Sequence, residues 1–258
     1  MSGVPFSFTS HAVDLFLNPI LLKEKVSRSK AAITISKYNE ELLKNLGADK
    51  KKIHVIRCGV NIDKWVFDPR EKFRQIPKIG TLCRLVEKKG VDVLIEALSL
   101  LKEQDFAFTF EIVGDGPEKK KLSQMVLDRE LDDSTSFLGA ISNYKIPDWL
   151  YEIDIFVLAC RKTNDGDQDG IPVALMEAMS IGIPVISTSI SGISELIEDG
   201  ISGFLAKPND PITLAKKIKH LIYERNDLKF ITTNARFRIE EEFSEALNIQ
   251  RLINIFRS

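Results

Sequence analysis

The sequence has few cysteines, no excess of charge of either sign and no long apolar run. Cys58, Cys83 and Cys160 are the three cysteines. Their wide spacing predicts neither a disulfide framework nor a metal-binding motif, and it fits a reducing compartment. The 36 basic and 37 acidic side chains leave a formal charge of −1, so composition gives no case for nucleic-acid binding.

The sequence also has no run approaching the roughly 20 apolar residues that cross a bilayer. Its first residues lack the basic segment and apolar core of a signal peptide. We therefore expect a cytoplasmic protein. At 44% hydrophobic and 28% charged residues, its 258 residues have the composition of a globular protein with one large domain or two small ones.

Short apolar runs alternate with amphipathic stretches along nearly the whole chain. The predicted strands are 6–9, 32–35, 53–56, 78–82, 108–113, 135–138, 155–158 and 184–187. The predicted helices are 37–46, 91–104, 117–129, 147–152, 173–181, 193–198, 212–224 and a long stretch from about 226. This alternation predicts an α/β fold with a doubly wound parallel sheet.

The predicted strands fall into two groups. Residues 1–56 carry three strands, too few for an independent doubly wound domain, and 57–77 resembles a connector. Residues 78–224 carry five strands in regular alternation. We therefore expect one complete domain and part of another.

The strongest chemical motif runs from Asn164 to Val185, where a polar, glycine-rich turn leads into a helix at Val173. Backbone N–H groups at a helix start bind anionic or hydroxyl-rich ligands. Asp169 precedes the helix, and Glu177 lies one turn inside it, so both carboxylates would flank that site. A solvated acidic turn with a surface glutamate is the equally weighted alternative.

A second motif, Cys83–Gly90, follows a predicted strand directly. Ligands of open α/β sheets bind at the carboxyl ends of the strands. Arg84 and Lys89 offer a planar fork and a point charge, which suit a diphosphate. Two solvated cations before a helix are the more ordinary interpretation of this segment alone.

Two further strand ends carry glycine turns. Gly114 and Gly116 follow the predicted strand 108–113 and are expected to form a structural turn, since the third glycine of a dinucleotide fingerprint is lacking. Leu138 and Gly139 end the next strand, where a flat nucleotide base could lie against the backbone.

An acidic stretch in the strongest motif resembles a metal-binding sequence. Asp165, Asp167 and Asp169 alternate with other residues, as in the Asp-x-Asp pattern that holds divalent ions in some transferases. Nothing else in the chain follows the pattern of that metal-dependent fold. We expect a solvated loop and no metal site.

Taken in order, these motifs resemble the retaining glycosyltransferases of the GT-B fold, family 4. The resemblance rests on the segments 55–65, 84–90, 112–117, 137–139, 169–205 and 208–215. It implies two Rossmann-like domains facing across a cleft, the first binding a sugar acceptor and the second a nucleotide sugar. It further implies transfer from a UDP- or GDP-sugar with retention of configuration, to a glycan or a lipid-linked acceptor, with no metal cofactor.

The resemblance also implies roles for individual residues. The family signature has two glutamates separated by seven residues, and here Asp169 takes the first position and Glu177 the second. Glu177 would bind the ribose, Arg84 and Lys89 the diphosphate, and Asp169, Gly170 and Ile171 the sugar ring. The shorter side chain of Asp169 changes the reach of the sugar contact.

The first residues resemble the late part of the acceptor domain of that family, and His11 matches a histidine that faces the donor sugar. Residues 1–66 would be a partial acceptor domain, 67–230 the nucleotide-sugar domain and 231–258 a helix that packs back toward the N-terminal part. The chain would then be either a fragment or a natural short form that needs an acceptor-domain partner. We expect at most peripheral contact with the inner membrane face. The apolar face of the last helix (Leu247, Leu252, Ile253 and Phe256) would then be partly uncovered.

Two alternatives to an autonomous transferase stay open. The chain could bind a donor without activity until an acceptor-domain partner joins it. It could also be a GT-B relative such as a nucleotide-sugar 2-epimerase, although the motif from Asp169 to Glu177 fits a transferase better.

Overall fold

A computed structural model describes residues 4–17, 19–223 and 228–257. Its first, three-stranded sheet contains β1 (Ser7–Ser10), β2 (Ala31–Thr34) and β3 (Ile53–Val55), all parallel and in the order β1-β2-β3. The connections carry the short helix α1 (Val13–Phe16), then α2 (Leu22–Arg28) and α3 (Lys37–Asn45). All four residues of β2 are buried, as expected for a central strand with both faces covered.

The second sheet has six parallel strands in the order β6-β5-β4-β7-β8-β9. Their bounds are β4 (Lys78–Leu82), β5 (Thr109–Val113), β6 (Thr135–Gly139), β7 (Ile155–Leu158), β8 (Val185–Thr188) and β9 (Phe204–Ala206). The chain starts at the centre, builds outward to β6, and then returns to the other side of β4. The adjacent strands β4 and β7 therefore form the switch point at which open α/β sheets place their ligands.

Helices cover both faces of this sheet. They are α4 (Val91–Lys102), α5 (Lys119–Asp128), α6 (Ile146–Tyr151), α7 (Val173–Ile181), α8 (Ile193–Leu196), α9 (Pro211–Tyr223), α10 (Leu228–Glu242) and α11 (Glu245–Arg257). One apolar cluster lies beneath α4, α5 and α9, and a second beneath α6, α7, α8 and α10. The α/β, doubly wound, Rossmann-like architecture expected from the alternating pattern is confirmed.

The connector between the sheets is attached to the second one. The Asp68 N–H donates to the Ile181 carbonyl at 2.8 Å, and the Arg70 N–H donates to the Gly182 carbonyl at 3.1 Å. Trp65 is buried in the cluster under α7. The predicted division at residues 66 and 230 stays a prediction.

Each predicted strand matches an observed strand to within two residues, but three features differ from the prediction. The short edge strand β9 was not predicted, because three residues carry too little pattern. The helices α1 and α2 were also not predicted. The long helix expected from about 226 is wrong, since α10 ends at Glu242 and α11 begins at Glu245. The ends expected at 224 and 226 lie outside the described residues.

The break between α10 and α11 is where the C-terminal part contacts the connector. Val60 donates its N–H to the Phe243 carbonyl at 2.9 Å and accepts from the Glu245 N–H at 3.0 Å. Asn248 is the buried residue of α11, while Phe256 is 60% exposed. The apolar face of α11 is thus only partly covered in the described chain. None of the helices in residues 4–17, 19–223 and 228–257 is long and apolar enough to cross a bilayer.

Candidate nucleotide-sugar site

The loops that carry the predicted site residues meet at the carboxyl edge of the second sheet. The loop after β4 is tied to the turn after β5, because the Leu85 N–H donates to the Asp115 carbonyl at 2.9 Å. It is tied to the loop after β7 as well, because the Arg161 N–H donates to the Lys88 carbonyl at 2.9 Å. Three neighbouring strands therefore present one continuous, hydrogen-bonded rim.

Gly90 lets the loop after β4 turn into α4 against the end of β7. Its φ of +64° lies in the left-handed region, and a Cβ at this position would meet the Ala159 carbonyl oxygen at 1.8 Å. Only glycine fits both conditions. This close approach brings Lys89, the preceding residue, beside the loop that carries Asp169.

Lys89 and Asp169 form an ion pair across the switch point. The Lys89 Nζ lies 2.6 Å from Asp169 Oδ2, and both side chains are largely buried. Burial lowers the pKa of Lys89, but the attraction of Asp169 outweighs it, so the pKa is raised above its ordinary value. The Cys160 Sγ lies 3.3 Å from the same carboxylate oxygen, and burial raises the pKa of this thiol, which keeps it protonated as a donor.

The backbone after Asp169 is held by the turn that follows β8. The Ser191 hydroxyl donates to the carbonyl oxygens of Asp169 and Gly170, the latter at 2.9 Å. A Cβ on Gly170 would lie 2.7 Å from Ile35 Cδ1, which places this backbone directly against the end of the first sheet. Ile171 is buried. The three residues expected at the sugar ring thus lie between the two sheets.

Glu177 lies one turn inside α7, and it lines a cavity of about 670 Å³ together with Val173. Within the described residues its carboxylate makes no hydrogen bond or ion pair. Burial raises its pKa to about 6. Asn143 and Tyr144 form another wall of the cavity. A half-buried carboxylate without a partner is suited to bind hydroxyl groups of a ligand.

Arg84 is an exposed cation of the rim, and its side chain has no partner among the described residues. Gly139, which ends β6, has a φ of +71° and open space around its Cβ position, and its neighbour Leu138 is 45% exposed. The Gly139 carbonyl accepts from the Gly114 N–H at 2.8 Å, so the end of β6 belongs to the same rim.

His11 follows β1 and is exposed at the carboxyl end of the first sheet. Its backbone N–H donates to the Asp14 carboxylate at 3.0 Å, and its carbonyl accepts from Asn39 Nδ2 at 2.7 Å. The imidazole Nδ1 lies 3.7 Å from the Cys58 Sγ. The backbone of His11 is therefore held firmly by two hydrogen bonds, while its ring makes a long contact with the Cys58 thiol.

Two carboxylates of the acidic loop contact other side chains of the protein. Asp167 pairs with Lys88 at 2.9 Å, and Asp165 accepts a hydrogen bond from Thr163. In the described part of the chain, no three His, Cys, Asp or Glu side chains are grouped so as to hold a metal ion.

Sequence reasoning missed several residues of this region. The missed residues are Lys88, Asn143, Tyr144 and Cys160. Each lies in a loop after the carboxyl end of a strand, and that position could have identified them as candidates. The partner of α3, Glu195, lies 158 residues from Lys37 along the chain, so no local pattern could reveal it.

The fold is Rossmann-like, and the loops that carry the predicted site residues meet at the carboxyl edge of its second sheet. Residues 63–238 match the family described as glycosyl transferases group 1, and the chain belongs to this family. It is 35% identical to the amylovoran biosynthesis glycosyltransferase AmsK of Erwinia amylovora, over 95% of this chain and 62% of that protein. It is 34% identical to the putative colanic acid biosynthesis glycosyltransferase WcaL of Escherichia coli strain K12, over 96% of this chain and 63% of that protein.

The chain therefore spans a little over three fifths of these two relatives. Among solved structures it is similar to Anabaena HepE in complex with UDP, with a TM-score of 0.83 at 22% identity. That match covers 98% of this chain and 72% of HepE. The likeness confirms the GT-B type fold.

Proposed function

We propose that this chain binds a nucleoside-diphosphate sugar and takes part in transferring its sugar to a glycan or lipid-linked acceptor, with retention of configuration. The observation that carries the proposal is the unpartnered, half-buried Glu177 beside the start of α7, lining a cavity of about 670 Å³. A phosphate alone would be repelled by this carboxylate, whereas a ribose offers it two hydroxyl donors. HepE, a protein of similar structure, was crystallised in complex with UDP.

The rim residues supply the complementary charge. Arg84 has no partner among the described residues, and Lys89 lies at the switch point, so both are available near a diphosphate. A leaving nucleoside diphosphate gains negative charge in the transition state, and fixed cations stabilise that charge. The proposal assigns this role to the two side chains rather than to a metal ion.

We assign the parts of the site that would contact the donor sugar and the acceptor to the boundary between the two sheets. Asp169, Gly170 and Ile171 would contact the sugar ring, with the aspartate also holding Lys89. Exposed His11 would face the anomeric carbon from the first sheet, where it can orient or polarise the acceptor. The relatives AmsK and WcaL are named for amylovoran and colanic acid biosynthesis, which favours a polysaccharide precursor as acceptor.

Calorimetric titration of the chain with UDP and with GDP tests donor binding. We expect one of them to bind and to raise the melting temperature. Absence of binding by both at millimolar concentration would overturn the proposal. Radiolabelled UDP- and GDP-sugars, offered with lipid-linked glycan extracts, then separate transfer from binding without turnover. Release of a free epimerised sugar would indicate the epimerase alternative.

A further inference from the structure

The first turn of α3 is capped by a side chain from α8, the short helix that follows β8 of the second sheet. Glu195, on α8, accepts hydrogen bonds from the backbone N–H groups of Lys37 at 3.0 Å and Tyr38 at 2.8 Å. The next N–H, that of Asn39, donates to the Ser36 hydroxyl at 3.1 Å. Helix starts leave such N–H groups unpaired, and the helix dipole favours a carboxylate there. A carboxylate from the region of the second sheet therefore pairs with the free N–H groups at the start of a helix that packs with the first sheet.

Arg57 fixes that carboxylate in place. Its Nη1 lies 2.7 Å from Glu195 Oε2, and its Nε lies 3.0 Å from Glu242 Oε2. The guanidinium group also lies 4.9 Å from the centre of the Phe243 ring. Arg57 is only 8% exposed, so this pair is shielded from solvent and its geometry is well defined.

A residue of the capped turn makes a hydrogen bond to His11. Asn39 lies in this turn and is fully buried, and its side-chain amide donates to the His11 carbonyl at 2.7 Å. The His11 backbone has its second anchor in Asp14, which lies on the adjacent turn of the same segment. How α3 begins therefore determines where His11 is held.

The residues just before Glu195 contact the backbone that is proposed to hold the sugar. Ser191, four residues earlier, bonds the carbonyl oxygens of Asp169 and Gly170. Between them, Gly192 packs so closely that a Cβ would lie 2.6 Å from Ile171 Cγ1. The short segment from Ser191 to Glu195 thus contacts both halves of the proposed active site.

We propose that Glu195 is a positioning residue, which fixes His11 relative to Asp169 and Gly170 without touching substrate. Its effect on turnover rests on the proposed function, whereas the mechanical link to His11 does not. Arg84 and Glu177, which would bind the nucleotide, lie outside this network. Lys89 pairs with the side chain of Asp169, whereas Ser191 contacts the Asp169 backbone. Loss of the Glu195 carboxylate is therefore expected to lower kcat and to leave nucleotide affinity nearly unchanged.

The test compares Glu195→Gln and Glu195→Ala with a matched control, Glu198→Gln. Glu198 is exposed, and its side chain has no partner among the described residues. Amide hydrogen exchange at Lys37 and Tyr38 and the imidazole NMR signals of His11 report the link without any substrate. We expect exchange to become about five- to thirtyfold faster in the Glu195 variants, as for loss of a helix cap, and the His11 signals to shift.

The functional arm measures UDP and GDP affinity, together with kcat and KM for UDP- or GDP-sugar turnover. We expect kcat to fall by on the order of tenfold to a hundredfold, since small misplacements of reacting groups have such effects. KM for the donor and nucleotide affinity should stay within about threefold of the unmodified chain. The control variant should match the unmodified chain in every measurement.

Distinct results would overturn each part. Unchanged exchange and unchanged His11 signals in Glu195→Gln would show that the link does not exist. A nucleotide affinity that falls in parallel with kcat would show a general structural role instead of positioning. If the unmodified chain neither binds nor turns over a nucleotide sugar, the proposed function fails, and the exchange and NMR data still decide the link. Should Glu195→Ala fail to fold, the Gln variant carries the test.

Discussion

The Lys89 ammonium nitrogen lies 2.6 Å from the Asp169 carboxylate, and this ion pair joins the loops that follow the adjacent strands β4 and β7. The pair lies at the switch point of the sheet, where the chain changes its direction of winding. The Asp169 carboxylate also has the buried Cys160 thiol beside it, and the Lys88 ammonium nitrogen lies 3.9 Å from its Oδ1. One buried cation therefore has a structural role and a proposed role in binding a diphosphate.

Replacing Lys89 by Met should destabilise the fold. The substitution leaves the Asp169 carboxylate with the Cys160 thiol at 3.3 Å and the more distant Lys88 ammonium group at 3.9 Å. Breaking a buried pair by removing one partner costs about 3 kcal/mol. Urea unfolding gives the change in free energy of unfolding. The double variant Lys89→Met/Asp169→Asn should recover part of the loss, which a double-mutant cycle quantifies.

Lys44→Met is the control for this experiment, since Lys44 pairs with Glu40 and Glu41 on a helix surface. It should leave the free energy of unfolding nearly unchanged, because exposed ion pairs contribute little to stability. Equal effects of the Lys89 and Lys44 substitutions would contradict the assignment of a structural role to the buried pair.

Replacing Glu177 by Gln should stabilise the unliganded protein at neutral pH. Burial raises the folded-state pKa of Glu177 to about 6, above the ordinary value of 4.5. Between these two values the folded chain binds more protons than the unfolded chain, so the Glu177 contribution to stability falls as the pH rises. Allowing for its partial exposure, the loss by pH 7 is about 1 kcal/mol.

Urea unfolding of the unmodified chain and of Glu177→Gln at pH 4 and pH 7 measures this effect. The difference in free energy between the two proteins should be larger at pH 7. The same substitution should weaken nucleotide binding, because the amide is a poorer acceptor for ribose hydroxyls. A difference independent of pH would contradict the raised pKa.

Replacing Gly90 by Ala should be severely destabilising. The new Cβ would overlap the Ala159 carbonyl oxygen at 1.8 Å, in addition to the cost of a left-handed backbone. We expect a loss of more than about 3 kcal/mol, read from thermal and urea unfolding. Gly200 is the matched control: its φ is +78°, but a Cβ there meets nothing within 4 Å.

Gly200→Ala should cost only the backbone term of about 1–2 kcal/mol. The difference between the two variants isolates the close approach of the loop after β4 to the end of β7. If both variants lose the same stability, that close approach does not constrain the fold.

Replacing Arg84 by Ala should impair binding without affecting stability. The side chain is exposed and has no partner among the described residues, so unfolding should change by less than about 0.5 kcal/mol. Loss of a charged hydrogen bond to a diphosphate should weaken nucleotide affinity by about tenfold to a hundredfold. Titration calorimetry measures the nucleotide affinity. The variant Lys120→Ala, at an exposed lysine, is the control. Unaltered affinity would remove Arg84 from the proposed site.

Local pattern sufficed to predict most of the fold. Continuous apolar runs such as 155–158 predict strands covered on both faces, and α4 follows from its 3.6-residue period. The Pro172–Val173 start of α7 was predicted to the residue, because a proline ends the preceding loop and an apolar helix follows. The edge strand β9 and the break at Phe243–Ser244 lacked such signals, since packing rather than local preference determines them.

The sequence by itself determined the α/β class and the family, because periodicity and motif spacing are local properties. It placed Asp169 and Glu177 at one helix start. The tertiary structure decided what each carboxylate contacts: Asp169 pairs with Lys89 across the switch point, and Glu177 lines a cavity with no partner among the described residues. It also decided that Glu195 caps a helix 158 residues away along the chain. Which charged groups pair depends on side-chain direction and burial between distant segments, and the linear order of residues does not contain that information.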